Sequence, residues 1–249
     1  MRHIQNQVLY IKGLVVSLKG TMKNILAIVA HPDDEIIGVG GTLRKHVKEG
    51  DNVSVLILGD GKTSRKHEYQ PLEETARNAS LTETKNALEV LGIKTFYKED
   101  LPDNRFDSLV LLDIVKIVSD YIEKINPGII YTHHTGDLNI DHQITSESVI
   151  IATRPIQYTA LEELRMFETL SATEMVGPRH THVFMPNLFI SIEQELEDKL
   201  NAMKCYESEL NDFPHPRSLK AVEYNAHVWG AKNNQTAVEP FFLFRKFIK

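Results

Sequence analysis

Asn24-Ile-Leu-Ala-Ile-Val-Ala30 runs without a spacer into His31-Pro-Asp-Asp-Glu35. Apart from Asn24 the first seven residues are apolar or small, the pattern of a strand buried on both faces. Pro32 cannot donate a ladder hydrogen bond, so strand pairing stops there. Ile36-Ile-Gly-Val-Gly-Gly-Thr-Leu43 then reads as a glycine-rich loop that leads into a helix. The unit is strand, loop, helix, with one imidazole and three carboxylates at the strand's carboxyl end. Open α/β sheets bind ligands at that end.

Two readings compete for these polar residues. Acids are favourable near a helix N-terminus, so they can be simple helix-start residues. Alternatively His31 and one aspartate, completed by a distant histidine, make a zinc set that leaves a fourth position for water. The other aspartate then stays free to take a proton. The stretch alone does not separate the two.

Outward from here the chain alternates strand and helix to about Ile151. Thr42 to Glu49 reads as a helix closed by Gly50, and Asn52 to Leu58 as a second buried strand. Lys62 to Pro71 reads as a loop, Leu72 to Leu91 as a helix stopped by Gly92, and Lys94 to Tyr97 as a strand. Asp107-Ser108 is placed to cap a helix running through Ile122, and Ile129 to Thr132 is the next strand. Ile144 to Ile151 is a further helix. Such alternation predicts an α/β, Rossmann-like fold, a mostly parallel sheet with helices on both faces. After residue 152 the regularity weakens. Leu164 to Phe167, Leu188 to Ser191 and Phe241 to Phe244 read as strands, Ile192 to Leu210 and Leu219 to Gly230 as helices. One domain with a C-terminal elaboration is the simplest account.

The strand ending at Thr132 delivers His133-His-Thr-Gly-Asp-Leu-Asn-Ile-Asp-His142. In a parallel sheet this second polar cluster lies on the same edge as the first, so both can face one site. That coincidence favours the metal reading. Asp137 or Asp141 is placed to orient the His142 ring, as carboxylates do for ligating histidines.

Composition bounds the remainder. A chain of 249 residues suits one large α/β domain or two small ones. With 42% hydrophobic and 25% charged residues it is of ordinary soluble type. A net charge of -6 argues against a general nucleic-acid binder. The single cysteine, Cys205, excludes an intramolecular disulfide and a Cys-rich zinc site. No apolar run is long enough to span a bilayer. Leu9 to Leu18 is interrupted by Lys12 and lacks a cleavage site, so it is not read as a signal peptide, and a cytoplasmic protein is expected. Residues 1–21 are read as an N-terminal extension, disordered or a surface helix, ahead of a domain over 22–249.

Ala30-His-Pro-Asp-Asp-Glu35 with Asp141-His142 on a later loop resembles the LmbE-like / PIG-L family of zinc-dependent N-deacetylases. Leu101-Pro-Asp-Asn-Arg-Phe-Asp107, Thr132 to His142, Thr153-Arg-Pro155, Phe167 to Glu174 and Phe213-Pro-His-Pro-Arg-Ser218 look like its bacterial amino-sugar branch. The resemblance covers nearly everything from Met22 onward. It implies His31, Asp34 and His142 as zinc ligands and Asp33 as general base. Family members often carry a histidine three residues before the last ligand, for the oxyanion; this chain has Asn139, which can donate a hydrogen bond but not act as a charged acid. Either Asn139 does a weaker version of that work, or His133, His134 or His215 takes it.

Arg105, in a strand-to-helix loop, and His134 are candidates for substrate contact. Arg217, in a proline-rich loop with His215, could hold a phosphate or carboxylate bidentately, or merely anchor the loop by an ion pair. Glu174 is a candidate hydroxyl acceptor and Arg154 a weaker substrate contact. His180 and His182 alternate as exposed strand positions would, and His46 and His67 carry no chemistry. A His/Asp/His set accommodates Zn2+ and also Fe2+. The expected activity is hydrolysis of an N-acyl, above all N-acetyl, group on an amino sugar or sugar-derived metabolite, nucleotide- or lipid-linked forms included. A non-catalytic, metal-dependent sugar binder on the same scaffold is the alternative, disfavoured by the intact Asp33. A dinucleotide site is not expected, since Gly38, Gly40 and Gly41 miss the fingerprint spacing and the carboxylates repel phosphate. A homo-oligomer is compatible with the sequence.

Overall fold

The computed structural model describes residues 8–11, 14–17, 22–63, 72–155, 160–177 and 183–248. Two short strands, β1 (Val8–Ile11) and β2 (Leu14–Ser17), pair antiparallel with each other. The described part of the extension is thus strand, not the surface helix offered as one alternative, and the rest of 1–21 lies outside the described residues. Then follow β3 (Asn24–Val29), α1 (Asp34–Glu49), β4 (Asn52–Gly59), α2 (Glu74–Val90) and β5 (Thr95–Leu101). Next come α3 (Leu111–Ile125), β6 (Ile129–His133), α4 (Ile140–Ala152) and β7 (Glu163–Phe167). The chain continues through β8 (Leu188–Ser191), α5 (Leu196–Met203), α6 (Leu219–Lys232) and β9 (Val238–Lys246).

Among the described residues one seven-stranded sheet forms, in the order β5-β4-β3-β6-β7-β9-β8. The run from β5 to β7 is parallel, and β9 lies antiparallel to both its neighbours. This is the single α/β domain the alternation predicted, and its later elements join the same sheet. Alternate residues of β3 explain its unbroken apolar run. Ile25, Ala27 and Val29 pack with α1, α2, α5 and α6 on one face. Leu26, Ile28 and Ala30 pack with α3 and α4 on the other. A strand covered on both faces has no polar side to show. No helix among the described residues is long and apolar enough to cross a membrane.

The stretch 36–43 corrects the sequence reading. It is not a loop: α1 begins at Asp34 and the glycines lie inside the helix. Glycine is among the poorest helix formers, so close packing must account for its presence. A Cβ on Gly38 would stand 2.1 Å from the Phe167 ring, and one on Gly41 would stand 2.9 Å from Ile192. Gly38→Ala is therefore expected to overpack the α1–sheet contact and cost about 1–3 kcal/mol. Urea unfolding reads this; an unchanged midpoint would show that Phe167 can move aside.

Smaller corrections follow from burial and capping. The helix predicted over Ile192 to Leu210 is confined to Leu196–Met203, because the chain leaves it to turn Tyr206 into the core. The helix predicted from Asp107-Ser108 starts at Leu111, after a short 3-10 turn over Phe106–Ser108. A buried ion pair ties the C-terminal half to α1. Lys199 Nζ donates to Glu239 Oε1 at 2.6 Å and to the Ile37 carbonyl at 2.8 Å. Glu239 also accepts the N–H groups of Gly41 and Thr42, at 2.9 and 2.7 Å.

From β3 the chain lays β4 and β5 to one side, then β6 and β7 to the other. The crevice between the carboxyl ends of β3 and β6 is thus the switch point of the sheet, where ligands bind in such folds.

Candidate metal centre and active site

Between the end of β3 and the start of α1, residues 30–33 turn the chain. Asp33 takes φ 103° there, a left-handed conformation that costs a residue with a Cβ on the order of 1–3 kcal/mol and needs surrounding support. The support is visible. Its carbonyl accepts the N–H groups of Ile36 and Ile37 at 3.0 and 2.9 Å. Its own N–H donates to Glu35 Oε2 at 3.1 Å, and the Tyr206 hydroxyl donates to Glu35 Oε1 at 2.6 Å. Glu35 is thus the clamp on this turn, in keeping with the helix-start location. Burial pushes its carboxyl up to about 7.

Asp34 is fully buried and sits among three imidazoles. Its Oδ2 accepts the His31 backbone N–H at 2.8 Å. It lies 3.4 Å from His31 Nδ1, 3.4 Å from His133 Nε2 and 3.3 Å from His142 Nε2. The far nitrogens of two rings face further carboxylates. His31 Nε2 stands 2.9 Å from Asp141 Oδ2 and 3.2 Å from Asp103 Oδ1, and His142 Nδ1 stands 3.2 Å from Asp137 Oδ1. Asp137 is itself fixed by the Thr173 hydroxyl at 2.6 Å and the Asn139 N–H at 2.8 Å. Ring nitrogens backed by carboxylates on their outer side are the usual arrangement of ligating histidines.

His31, Asp34 and His142 can each bring one ligand atom within 4.8 Å of the others. The donors also fit a cation by what they lack. Asp34 Oδ1 and both ring nitrogens of His142 are buried and make no well-aligned hydrogen bond among the described residues, although the His142 nitrogens stand 3.3 Å from Asp34 Oδ2 and 3.2 Å from Asp137 Oδ1. Such orphans are rare in a folded interior. The charge balance points the same way. Burial opposes a charge on His142, yet Asp34 and Asp137 outweigh it and push the imidazole up to about 9. His31 is likewise raised, by Asp141, Asp34 and Asp103 against its burial. Protons on these rings supply positive charge that a divalent ion supplies when ligands are deprotonated. His133 behaves differently. Burial and His142 push it down to about 3. The neutral ring accepts the Ala30 N–H at Nε2, 3.0 Å away, and stacks on His142. It knits β3 to β6.

Asp33 Oδ2 accepts from Arg217 Nη1 at 3.0 Å. Burial raises the Asp33 carboxyl well above its ordinary range, with Arg217 opposing. His215 lies exposed on the same loop, and its Nδ1 accepts the Arg217 N–H at 3.0 Å. The structure thus gathers His31, Asp33, Asp34, His142 and Arg217, with His215 beside Arg217.

The other candidates make local contacts. Asn139 is the N-cap of α4: its Oδ1 accepts the Asp141 N–H at 2.8 Å and its amide donates to Asn104 at 3.1 Å. Both ends of its amide are thus engaged locally. His134 is buried edge-on against Phe184 and Phe242, its Nδ1 accepting the Gly136 N–H at 3.1 Å. Arg105 is half-buried in the β5–α3 loop, where its carbonyl accepts from Ser108. Glu174 caps Ser171 N–H at 2.6 Å, and Arg154 reaches back to the Ile151 carbonyl. His46 bridges Asp51 and the Tyr131 hydroxyl. His67, His180 and His182 lie outside the described residues. Sequence reasoning missed Asp103, Tyr206 and Ser171, whose partners are far along the chain.

A family model described as PIG-L: GlcNAc-PI de-N-acetylase matches residues 26–153. A diacetylchitobiose deacetylase of Thermococcus kodakarensis is 27% identical over 193 residues, 76% of this chain and 70% of that protein. The solved structure of N,N'-diacetylchitobiose deacetylase from Pyrococcus horikoshii superimposes with a TM-score of 0.72 at 20% identity, over 90% of this chain and 84% of that one. A 4-carboxy-2-hydroxymuconate hydratase from Pseudomonas putida superimposes at 0.68 and 20% identity, over 92% and 98%. At such identities these likenesses are of fold, and the fold hosts more than one reaction. The family match covers just over half the chain and holds both polar strand ends, so the chain belongs to the PIG-L family.

Proposed function

We propose that this protein is a metal-dependent hydrolase that removes an acyl group, above all acetyl, from the nitrogen of an amino sugar or sugar-derived metabolite. One observation carries the reading: a buried His31/Asp34/His142 set with orphaned donor atoms lies beside a further carboxylate, Asp33, that the set does not use. The amino-sugar deacetylases among its relatives supply the substrate class.

His31, Asp34 and His142 would hold zinc, with iron(II) compatible with the same donors. A bound divalent ion acidifies water and polarises a carbonyl. The chain's own residues do the rest. Asp141 and Asp103 hold the His31 ring, and Asp137 holds His142. Asp33 takes the proton of the attacking water at Oδ1, the oxygen with no partner among the described residues. His215, with Nδ1 accepting from Arg217, has its ring N–H at Nε2, a hydrogen-bond donor toward the oxyanion, and the proton taken by Asp33 passes on to the leaving amine. The leaving nitrogen needs that proton, because an amide anion is a very poor leaving group. Arg105 and the rim of the β5–α3 loop contact the sugar. A further relative, a probable N-acetyl-alpha-D-glucosaminyl L-malate deacetylase 2 of Bacillus anthracis, is 22% identical over 75% of this chain and 81% of that protein, so an acidic substituent on the sugar is also assayed.

The test is acetate release from N,N'-diacetylchitobiose, N-acetylglucosamine and N-acetylglucosaminyl malate. Zinc-loaded protein is expected to turn over at least one of them, and chelator-stripped protein none until metal is returned. Metal-replete protein inert toward every acylated amino sugar would overturn the reading.

A further inference from the structure

Asp33 is held through both its backbone and its side chain. The backbone hold comes from Glu35, Ile36 and Ile37. The side-chain hold comes from Arg217, which is distant in sequence and belongs to the loop that enters α6. That arginine is itself fixed. Its Nε donates to Ser171 Oγ at 2.8 Å, its backbone N–H donates to His215 Nδ1, and its carbonyl accepts the Asn211 N–H at 3.3 Å. Glu209 stands 3.9 Å away as a second counter-charge.

An arginine held in this way is poorly placed to take a phosphate or carboxylate of the substrate. Two of its donor nitrogens are already engaged, and one of them neutralises a carboxylate that is only 1% exposed. Withdrawing it toward a ligand would leave that carboxylate buried and unpaired, which is costly. What the pairing accomplishes is a choice of oxygen. Oδ2 is tied to the guanidinium and Oδ1 is left buried without a partner among the described residues. We propose that Arg217 is a positioning residue for Asp33: it fixes the carboxylate with Oδ2 engaged and Oδ1 open, so that one oxygen alone receives the proton. The inference rests on the proposed base role of Asp33.

Arg217→Gln, Arg217→Lys, Asp33→Asn and the double variant Asp33→Asn/Arg217→Gln test this on the full chain with two readouts. The first is kinetics on N,N'-diacetylchitobiose, which carries no anionic group. Loosening a reacting group by about 1 Å costs on the order of 100-fold. Arg217→Gln is therefore expected to lower kcat about 100-fold with KM within about threefold, and Arg217→Lys to recover part of the loss. In the Asp33→Asn background the Arg217→Gln change should cost nothing further. A raised KM with kcat unchanged makes Arg217 a substrate ligand and overturns the proposal, as do additive losses in the double variant. The second readout is the thermal midpoint of the metal-free protein, compared across the same cycle. Arg217→Gln should lower it more with Asp33 present than with Asn at that position. Equal losses in both backgrounds overturn the pairing whatever the activity. Were the wild-type protein inert toward acylated amino sugars, the hydrolase reading would fall and this stability cycle would still decide the pairing.

Discussion

Asp33→Asn is expected to leave the protein folded and able to bind zinc, and to lower turnover by about 10²- to 10⁴-fold, the usual contribution of a positioned general base. The substitution is unusually clean at this position. Asn is among the few side chains that tolerate the left-handed backbone of residue 33, so strain is not added. It is nearly isosteric with Asp, and the amide oxygen can still accept from Arg217. What it cannot do is take a proton and carry it to the leaving amine. Metal content by elemental analysis and kcat on the best substrate found above are the two measurements. Full turnover with metal bound would remove Asp33 from the mechanism; lost metal would mean that its carboxylate belongs to the ligand set.

The second large effect concerns stability. Lys199→Met is expected to cost about 3–5 kcal/mol, because it leaves Glu239 buried without its counter-charge. The two backbone donors of Gly41 and Thr42 would still hold the carboxylate, but N–H dipoles offset less than an ammonium at 2.6 Å. The Met side chain fills much of the same space, so the loss reports charge rather than a cavity. Urea unfolding measures it. A loss below about 1 kcal/mol would show that water reaches Glu239 and that the pair behaves as a surface one.

These two positions also mark what could and could not be read in the sequence. The sheet was legible because β3 and β6 are short apolar runs that end abruptly in His, Asp and Glu. Local pattern suffices for a strand covered on both faces. Local pattern also marked the two polar strand ends that parallel pairing brings together, while the choice of His31, Asp34 and His142 among their residues came from the family resemblance. The glycines of α1 were misread because a turn and a tight contact use the same residue type, and residues far along the chain, Phe167 and Ile192, decide between them. Asn139 shows a similar ambiguity: an amide before Ile-Asp-His can cap a helix or donate into a site, and the structure places it at the N-cap of α4. The distant supports of Asp33 had no local signal. Tyr206 reaches Glu35 across 171 residues and Arg217 reaches Asp33 across 184.

Asp141 belongs to two structures at once. One of its oxygens faces His31 and also accepts the Asn104 N–H at 2.6 Å, while the other accepts the Phe106 N–H at 3.0 Å. The β5–α3 loop is therefore not an interchangeable module. In most α/β folds the loops beyond the strand ends can be lengthened or exchanged while the scaffold stays put. Here the backbone at 104 and 106 and the imidazole at 31 draw on the same carboxylate. An insertion in that loop would reach the His31 ring directly, whereas one in the α1–β4 bend at Gly50 would not. Grafting a relative's β5–α3 loop onto this scaffold means grafting its counterpart of Asp141 with it.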